Sequence, residues 1–252
     1  MSYGTFASYY DVLTENIDYH KRAEYFDKLI EKFGGNRNGI LLDLACGTGS
    51  LTTEFVKLGY DVIGVDGSEE MLSVAIEKKY ENNIDVLFLC QDMRNLDLFG
   101  TIDVSICALD SVNHITDLGD LEKIFDKISL FSNEHALFIF DANTIYKHKE
   151  ILSDKTFVYD CEDVYCVWQN SSCGDNNEIE INLDFFEKEE DCYYRSEESF
   201  FERAYSVSEL TDVLTKTGFE VLAIYGDDTE DEPKEDTQRL VFVAKLSELR
   251  NG

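Results

Sequence analysis

Hydrophobic and polar positions along this chain alternate between two periods. Short unbroken apolar runs are followed by stretches in which apolar residues recur every three to four positions, the pattern of strands alternating with helices. The first run, Ile40–Leu44, carries an acid at Asp43 and leads into Ala45-Cys46-Gly47-Thr48-Gly49. Leu51, Phe55 and Leu58 then share one helical face up to Gly59, a suitable C-terminal stop. Asp61–Asp66 is a second buried strand ending in an acid. Two strands joined by a helix of this length make a right-handed βαβ unit. Ser68 caps the next helix, which runs to Glu81 with Glu69 and Glu70 in its first turn and Met71, Leu72, Ala75 and Ile76 on one face. Ile84–Cys90, Ile102–Ala108 and Ala136–Asp141 read as strands three to five. Between the last two, Thr116 or Asp117 caps a helix whose face carries Leu121, Ile124, Phe125 and Ile128.

The pattern differs at both flanks of this core. Residues 6–33 are expected to be helical, with Tyr25, Phe26, Leu29, Ile30 and Phe33 in rhythm and Gly34-Gly35 as the stop. From 145 to 203 apolar and polar residues alternate, as in Val164–Trp168 and Ile179–Phe185, with turn chemistry at Gly174–Asn177. That predicts an antiparallel insert of three to five strands. Ser206-Val207-Ser208-Glu209 is a capping box opening a helix that ends at Gly218. Phe219–Tyr225 and Leu240–Leu246 form a closing hairpin across an acidic loop with the single proline, Pro233. The expected organisation is a doubly wound α/β domain of residues 1–144 and 204–252, interrupted by the insert 145–203.

Composition narrows the possibilities. The chain has 252 residues, enough to bury a full core, and its apolar content of 44% is that of a globular protein. No apolar run approaches the ~20 residues of a membrane span, and Met1–Thr5 lacks the features of a signal peptide. A cytoplasmic protein is expected. With 22 basic against 52 acidic residues the formal charge is −30, which repels phosphate backbones and disfavours a nucleic-acid groove. The seven cysteines form no C-x-x-C pair, so neither a zinc site nor a disulfide frame is expected; Cys90 and Cys107, inside apolar runs, read as buried free thiols.

The chemistry-bearing positions fall at strand ends. Gly47 and Gly49 make a turn whose backbone a ligand can approach closely, ahead of a helix with unpaired N–H groups. Asp66 can accept from both hydroxyls of a ribose, while Ser68 already fills the capping role that competes for it. A dinucleotide fingerprint would need a third glycine where Thr52 stands, which counts against a nucleotide-dependent oxidoreductase.

The stretch Ile40–Gly49 resembles the nucleotide-site motif of class I S-adenosylmethionine-dependent methyltransferases, with Asp43, Ala45, Cys46, Gly47 and Gly49 matching position by position. The resemblance implies a Rossmann-like, seven-stranded, mostly parallel sheet whose last strand is antiparallel, with the insert as a substrate lid. It implies S-adenosylmethionine as cofactor and S-adenosylhomocysteine as product. Asp66, with Gly67 and Met71 beside it, would hold the ribose; Asp92 and Met93, just after strand three, would meet the adenine; Leu109 follows strand four in the same site. A Tyr-Tyr-Asp segment folds over the cofactor in many members, which makes Tyr10 a cofactor contact or, alternatively, part of an aromatic patch on the core. If the acceptor is an amine or hydroxyl, His114 is the candidate general base, the alternative being a structural hydrogen bond at a helix start. Asp110 and tyrosines of the insert are secondary candidates, and Arg94 binds either a substrate carboxylate or a surface acid. No Asn/Asp-Pro-Pro-aromatic motif follows strand four and no Pro-Cys nucleophile is present. With the charge, these absences lead to a small-molecule acceptor as the expectation. A cofactor-binding partner module without methyl transfer is the competing reading.

Overall fold

The computed structural model describes residues 4–174 and 176–247. Asp175 of the expected insert turn, and Met1–Tyr3, lie outside the described residues. Two helices, α1 (Gly4–Leu13) and α2 (Tyr19–Lys32), precede the first strand. The expected single helix is thus broken, because the Asp18 side chain accepts from the Lys21 amide and starts α2 afresh. The break frees α1 to lie elsewhere.

Strands β1 (Ile40–Leu44), β2 (Asp61–Asp66), β3 (Leu87–Cys90), β4 (Ile102–Cys107), β5 (Ser132–Asn143), β10 (Phe219–Gly226) and β11 (Arg239–Leu246) form one seven-stranded sheet in the order β10-β11-β5-β4-β1-β2-β3. The pairs from β5 to β3 are parallel; β11 runs antiparallel to both of its neighbours. Helices α3 (Ser50–Lys57), α4 (Glu69–Glu81), α5 (Leu118–Phe131) and α6 (Val207–Lys216) complete the layers. Asp117, rather than Thr116, caps α5. This is the expected α/β architecture, and strand order reverses between β1 and β4. Open α/β sheets bind ligands at such a reversal.

Two boundaries move. β3 begins at Leu87 rather than Ile84 because it is an edge strand paired only over Ile63–Asp66. Its edge position also exposes Cys90, contrary to the buried thiol expected, whereas Cys107 is buried; all seven cysteines are free. β5 begins at Ser132, four residues before the expected start, with a register shift against β4 and left-handed backbone at His135 (φ 66°). The polar bulge hides that part of the strand from its hydrophobic pattern.

One face of the sheet buries Phe125, Phe138, Phe140 and Phe242 under α5 and α6, with the Phe140 and Phe242 rings stacked 4.9 Å apart as the β5–β11 register requires. The other face buries Leu41, Val104 and Val241 against Phe26, Leu29 and Phe55 of α2 and α3. Strands β6 (Thr156–Asp160), β7 (Val164–Cys173), β8 (Glu178–Glu189) and β9 (Cys192–Arg203) form a separate antiparallel sheet. Its alternation buries Ile181, Leu183, Phe185 and Phe200 against Phe6 of α1. Among the described residues no helix is long and apolar enough to cross a membrane.

The capping box at α6 is fully formed, Ser206 Oγ accepting from the Glu209 amide and Glu209 from the Ser206 amide. Ser206→Ala should lower unfolding stability by ~1 kcal/mol in urea titrations, because the Glu209 amide loses its side-chain acceptor.

Candidate active site

The glycine turn is held from below by side chains. Ala45 (φ 58°), Gly47 (φ 55°) and Gly49 (φ 71°) all take left-handed backbone between β1 and α3. At Gly49 a Cβ would sit 3.0 Å from Ala75 and 3.1 Å from Phe88, so only glycine lets α4 and β3 pack against the turn. Asp43 is buried beneath it and accepts from the Thr52 hydroxyl at 2.5 Å. Burial, helped by the nearby Asp66 charge and opposed by Thr52, pushes the Asp43 carboxyl up to about 7. The residue that breaks the dinucleotide pattern therefore has its own role as a donor to the strand-end acid.

Asp66, at the tip of β2, accepts from the Gly47 amide at 2.8 Å through Oδ2 and from the Ser68 amide at 2.9 Å through Oδ1. Ser68 in turn caps α4. Burial raises the Asp66 carboxyl, while the Ser68 and Gly47 amides pull the other way. A carboxylate offers about four lone-pair positions, so roughly two remain for further donors. Gly67 continues this edge: a Cβ there would lie 3.8 Å from the Gln91 carbonyl and 3.9 Å from Asp92 Cα. Asp92 itself is engaged by Arg94 Nε at 2.9 Å and by the Arg94 amide at 2.9 Å. Arg94 also reaches Asp120 at 3.5 Å, so the surface-acid reading of this arginine is the one realised, not a free carboxylate receptor.

A pocket of about 340 Å³ opens above the turn, at the strand-order reversal, and gathers Tyr10, Asp43, Ala45, Gly47 and Leu109 with Tyr19, Thr48, Ser50 and Ser111. Gly49, Asp66, Gly67 and Asp92 are not among its lining residues; Asp66 reaches it through the Gly47 amide, and Gly67 and Asp92 follow beyond Asp66. Met71 is buried in the apolar cluster of α1 and the insert, and the half-buried Met93 packs against the α5 side of the core; neither lines the pocket. Tyr10 fits both of its expected readings. It lines the pocket and its ring meets Phe6 edge-on at 5.3 Å, and burial pushes its hydroxyl well above the usual tyrosine range.

Helix α1 is latched to the turn by Asp11, the acid of the Tyr-Tyr-Asp segment, together with Lys78, which carried no motif. Asp11 accepts from Thr48 Oγ1 at 2.8 Å and from Ser50 Oγ at 3.0 Å. Lys78 of α4 forms an ion pair with Asp11 and donates to Ser50 Oγ at 2.6 Å.

On the far side of the pocket, Leu109 (φ 58°) and Asp110 (φ 55°) are consecutive left-handed residues after β4. Both of their amides donate to Asp141, at 2.8 and 2.7 Å. The fully buried Asp141 also pairs with Arg22 at 2.6 Å and Arg239 at 2.5 Å. Burial alone would raise the Asp141 carboxyl, but the two guanidinium groups hold it below the usual range. Asp110 is likewise held low by Arg239 and Lys147 against its burial, and it accepts from Asn143 Nδ2 at 2.6 Å. Lys147 donates to Asn143 Oδ1 at 2.9 Å, and burial pulls its ammonium down. His114 ends the short helix Ser111–His114 with its ring 5.0 Å from Phe200. The insert tyrosines Tyr165, Tyr193 and Tyr194 are exposed.

Residues 41–131 match a family described as a methyltransferase domain. The Bacillus subtilis (strain 168) protein YqeM, named as a methyltransferase, is 31% identical over 248 residues, covering 98% of each chain. A solved S-adenosylmethionine-dependent methyltransferase from Clostridium acetobutylicum ATCC 824 is 30% identical, with a TM-score of 0.88 over 98% of this chain and 99% of that one. This chain belongs to the S-adenosylmethionine-dependent methyltransferases. A glycine/sarcosine N-methyltransferase from Aphanothece halophytica is more distant, 25% identical over 92% of this chain and 85% of its own length.

The methyltransferase uses S-adenosylmethionine as its cofactor, and the residues present suit that group. The approach above Gly47 is open, since a Cβ there would meet nothing within 4 Å. Asp66 retains acceptor capacity for hydroxyls, and the Gly67–Asp92 edge lies beside it. Neither an oxidoreductase nor a module without transfer is the family's chemistry.

Asp43 gives the methyltransferase a pH signature. Its folded carboxyl binds a proton more tightly than the unfolded one, whose value lies near ~3.9. It therefore contributes stability below that value that is lost as pH rises through about 7. Asp43→Asn keeps an acceptor for Thr52 without the charge. Urea unfolding at several pH values should show the variant gaining on the wild type between roughly pH 4 and 7; a constant difference would exclude the raised carboxyl.

Proposed function

We propose that this methyltransferase methylates an amine or hydroxyl of a small molecule, with His114 as general base and the insert 145–203 as the cover over the acceptor. Bound S-adenosylmethionine supplies an activated methyl group whose departure leaves the C–S electron pair on sulfur as a thioether. The remaining work falls to positioning, which can supply effective molarities of up to ~10⁵–10⁸ M. Asp66 takes the ribose hydroxyls on its spare lone pairs. Gly67 and Asp92 meet the adenine, with Asp92 sharing its oxygens between Arg94 and the base, while Met93 packs behind them on the α5 side of the core. Ala45, Gly47, Gly49 and Leu109 shape the floor and wall, Asp43 fixes the turn from beneath, and Tyr10 closes the top. Met71 acts indirectly, by seating α1.

One observation carries this reading. The Asp66 carboxylate joins the Gly47 turn to the α4 cap and still has acceptor positions to spare. A small acceptor is supported by the charge of −30, which disfavours a polyanionic partner. An amine is supported by the relative named for glycine and sarcosine, which are small amines. His114 does not itself line the pocket, but it ends the short helix that begins at the pocket residue Ser111, and its side chain is only 31% exposed.

Calorimetry with S-adenosylmethionine tests the cofactor assignment. Asp66→Ala should weaken binding by roughly 10- to 150-fold, the value of one or two hydrogen bonds to a charged group, whereas Cys46→Ala should change it by less than about threefold. Equal affinities for Asp66→Ala and wild type, with both folded, would remove the ribose role. For the base, His114→Asn should leave S-adenosylhomocysteine affinity intact and lower methyl transfer into a small-metabolite extract by about 10²-fold or more. Undiminished transfer would assign the proton to another group.

A further inference from the structure

Glu202 belongs to β9 of the insert, yet its carboxylate is buried between two histidines from outside that sheet. Oε1 lies 3.7 Å from His114 Nε2. Oε2 lies 3.5 Å from Nε2 of His148, a residue 1% exposed on the π-helical turn Lys147–Leu152. The other His148 nitrogen, Nδ1, sits 3.1 Å from the Asn177 carbonyl oxygen. A carbonyl only accepts, so Nδ1 carries hydrogen. Nε2 and Oε2 then face each other with no other hydrogen-bond partner. Two bare lone pairs opposed in a buried site would be repulsive, so one proton lies between them. That shared proton anchors Glu202 and leaves Oε1 for His114.

We propose that Glu202 is a positioning residue for methyl transfer: across 3.7 Å, an electrostatic contact longer than a hydrogen bond, Oε1 favours the His114 tautomer with hydrogen on Nε2, which leaves the Nδ1 lone pair to take the acceptor's proton. The inference rests on His114 acting as the base. The proton lost by the amine or hydroxyl moves to Nδ1, and the resulting imidazolium lies against Oε1 of Glu202, which is already in place. Asp66 and Asp110 also act electrostatically on this imidazole. Phe200 covers its ring, and Lys147 lies in the field of Glu202. Arg203, next in sequence, is turned away to the Thr116 carbonyl and Glu209, so it does not compete for Glu202. The insert thereby contributes to the chemistry and does not merely cover it.

Two-bond proton–nitrogen spectra of the full chain, labelled with ¹⁵N-histidine and saturated with S-adenosylhomocysteine at about pH 8, where an ordinary imidazole is neutral, read the tautomer directly. His114→Asn identifies the His114 signals. The expected result is a single Nε2–H tautomer in the wild type, a mixture in Glu202→Ala, and recovery of the single form in Glu202→Gln, whose amide oxygen still accepts. An Nδ1–H tautomer in the wild type, or one unchanged in Glu202→Ala, would overturn the proposal. Should Glu202→Ala fail to fold, Glu202→Met, which keeps the buried volume without an oxygen acceptor, carries the same test, and an Nδ1–H wild type overturns the proposal by itself. If the tautomer behaves as expected but His114→Asn retains full methyl transfer, the base assignment fails and the positioning geometry stands.

Discussion

The carboxylate of Asp141 accepts from two backbone amides and pairs with two guanidinium groups while wholly buried, and the Leu109 side of the pocket takes its shape from it. Left-handed backbone costs non-glycine residues roughly 1–2 kcal/mol each, and Leu109 and Asp110 both adopt it. Their amides offset that cost by satisfying a charge that burial would otherwise make prohibitive. Arg22 brings in α2 and Arg239 brings in β11, so elements from both ends of the chain converge on one strand tip. Removing one member of such a buried set leaves its partners uncompensated, a loss of about 3–5 kcal/mol. The same set orients Asp110, which links through Asn143 to Lys147.

The cofactor side follows a similar rule with smaller charges. Asp66 ties the glycine turn to the α4 cap, and Asp11 with Lys78 ties α1 to the same turn. Since Phe6 of α1 also packs into the insert sheet, and Glu198 of that sheet accepts from the Phe6 amide at 2.9 Å, the insert is mechanically connected to the glycine turn. Opening the pocket by moving α1 would break the Asp11 contacts and expose the Phe6 cluster together.

Much of this was legible in the sequence where periodicity or a local motif records it. The βαβ unit, the acids at successive strand tips, the Ser68 cap and the Ser206–Glu209 box all depend on neighbours a few residues away. What the sequence hides is long-range. Nothing near Arg22 announces a partner 119 residues on, and nothing near Glu202 announces two histidines from other elements. The break after α1 turns on one capping aspartate, the early start of β5 on a polar bulge, and the exposure of Cys90 on the edge position of β3. Arg94 takes the surface-acid partner that its position offered, and that partner is Asp92 two residues back; Met71 and Met93 pack away from the pocket.

A crystal structure of the protein with S-adenosylhomocysteine is the most direct test of the central claim that Asp66 and the glycine turn form the cofactor floor. The expected result is both ribose hydroxyls within hydrogen-bond distance of Asp66, the adenine along the Gly67–Asp92 edge and the thioether between Ala45 and Leu109. Density for the ligand elsewhere, with Asp66 bonded only to Gly47 and Ser68, would contradict it.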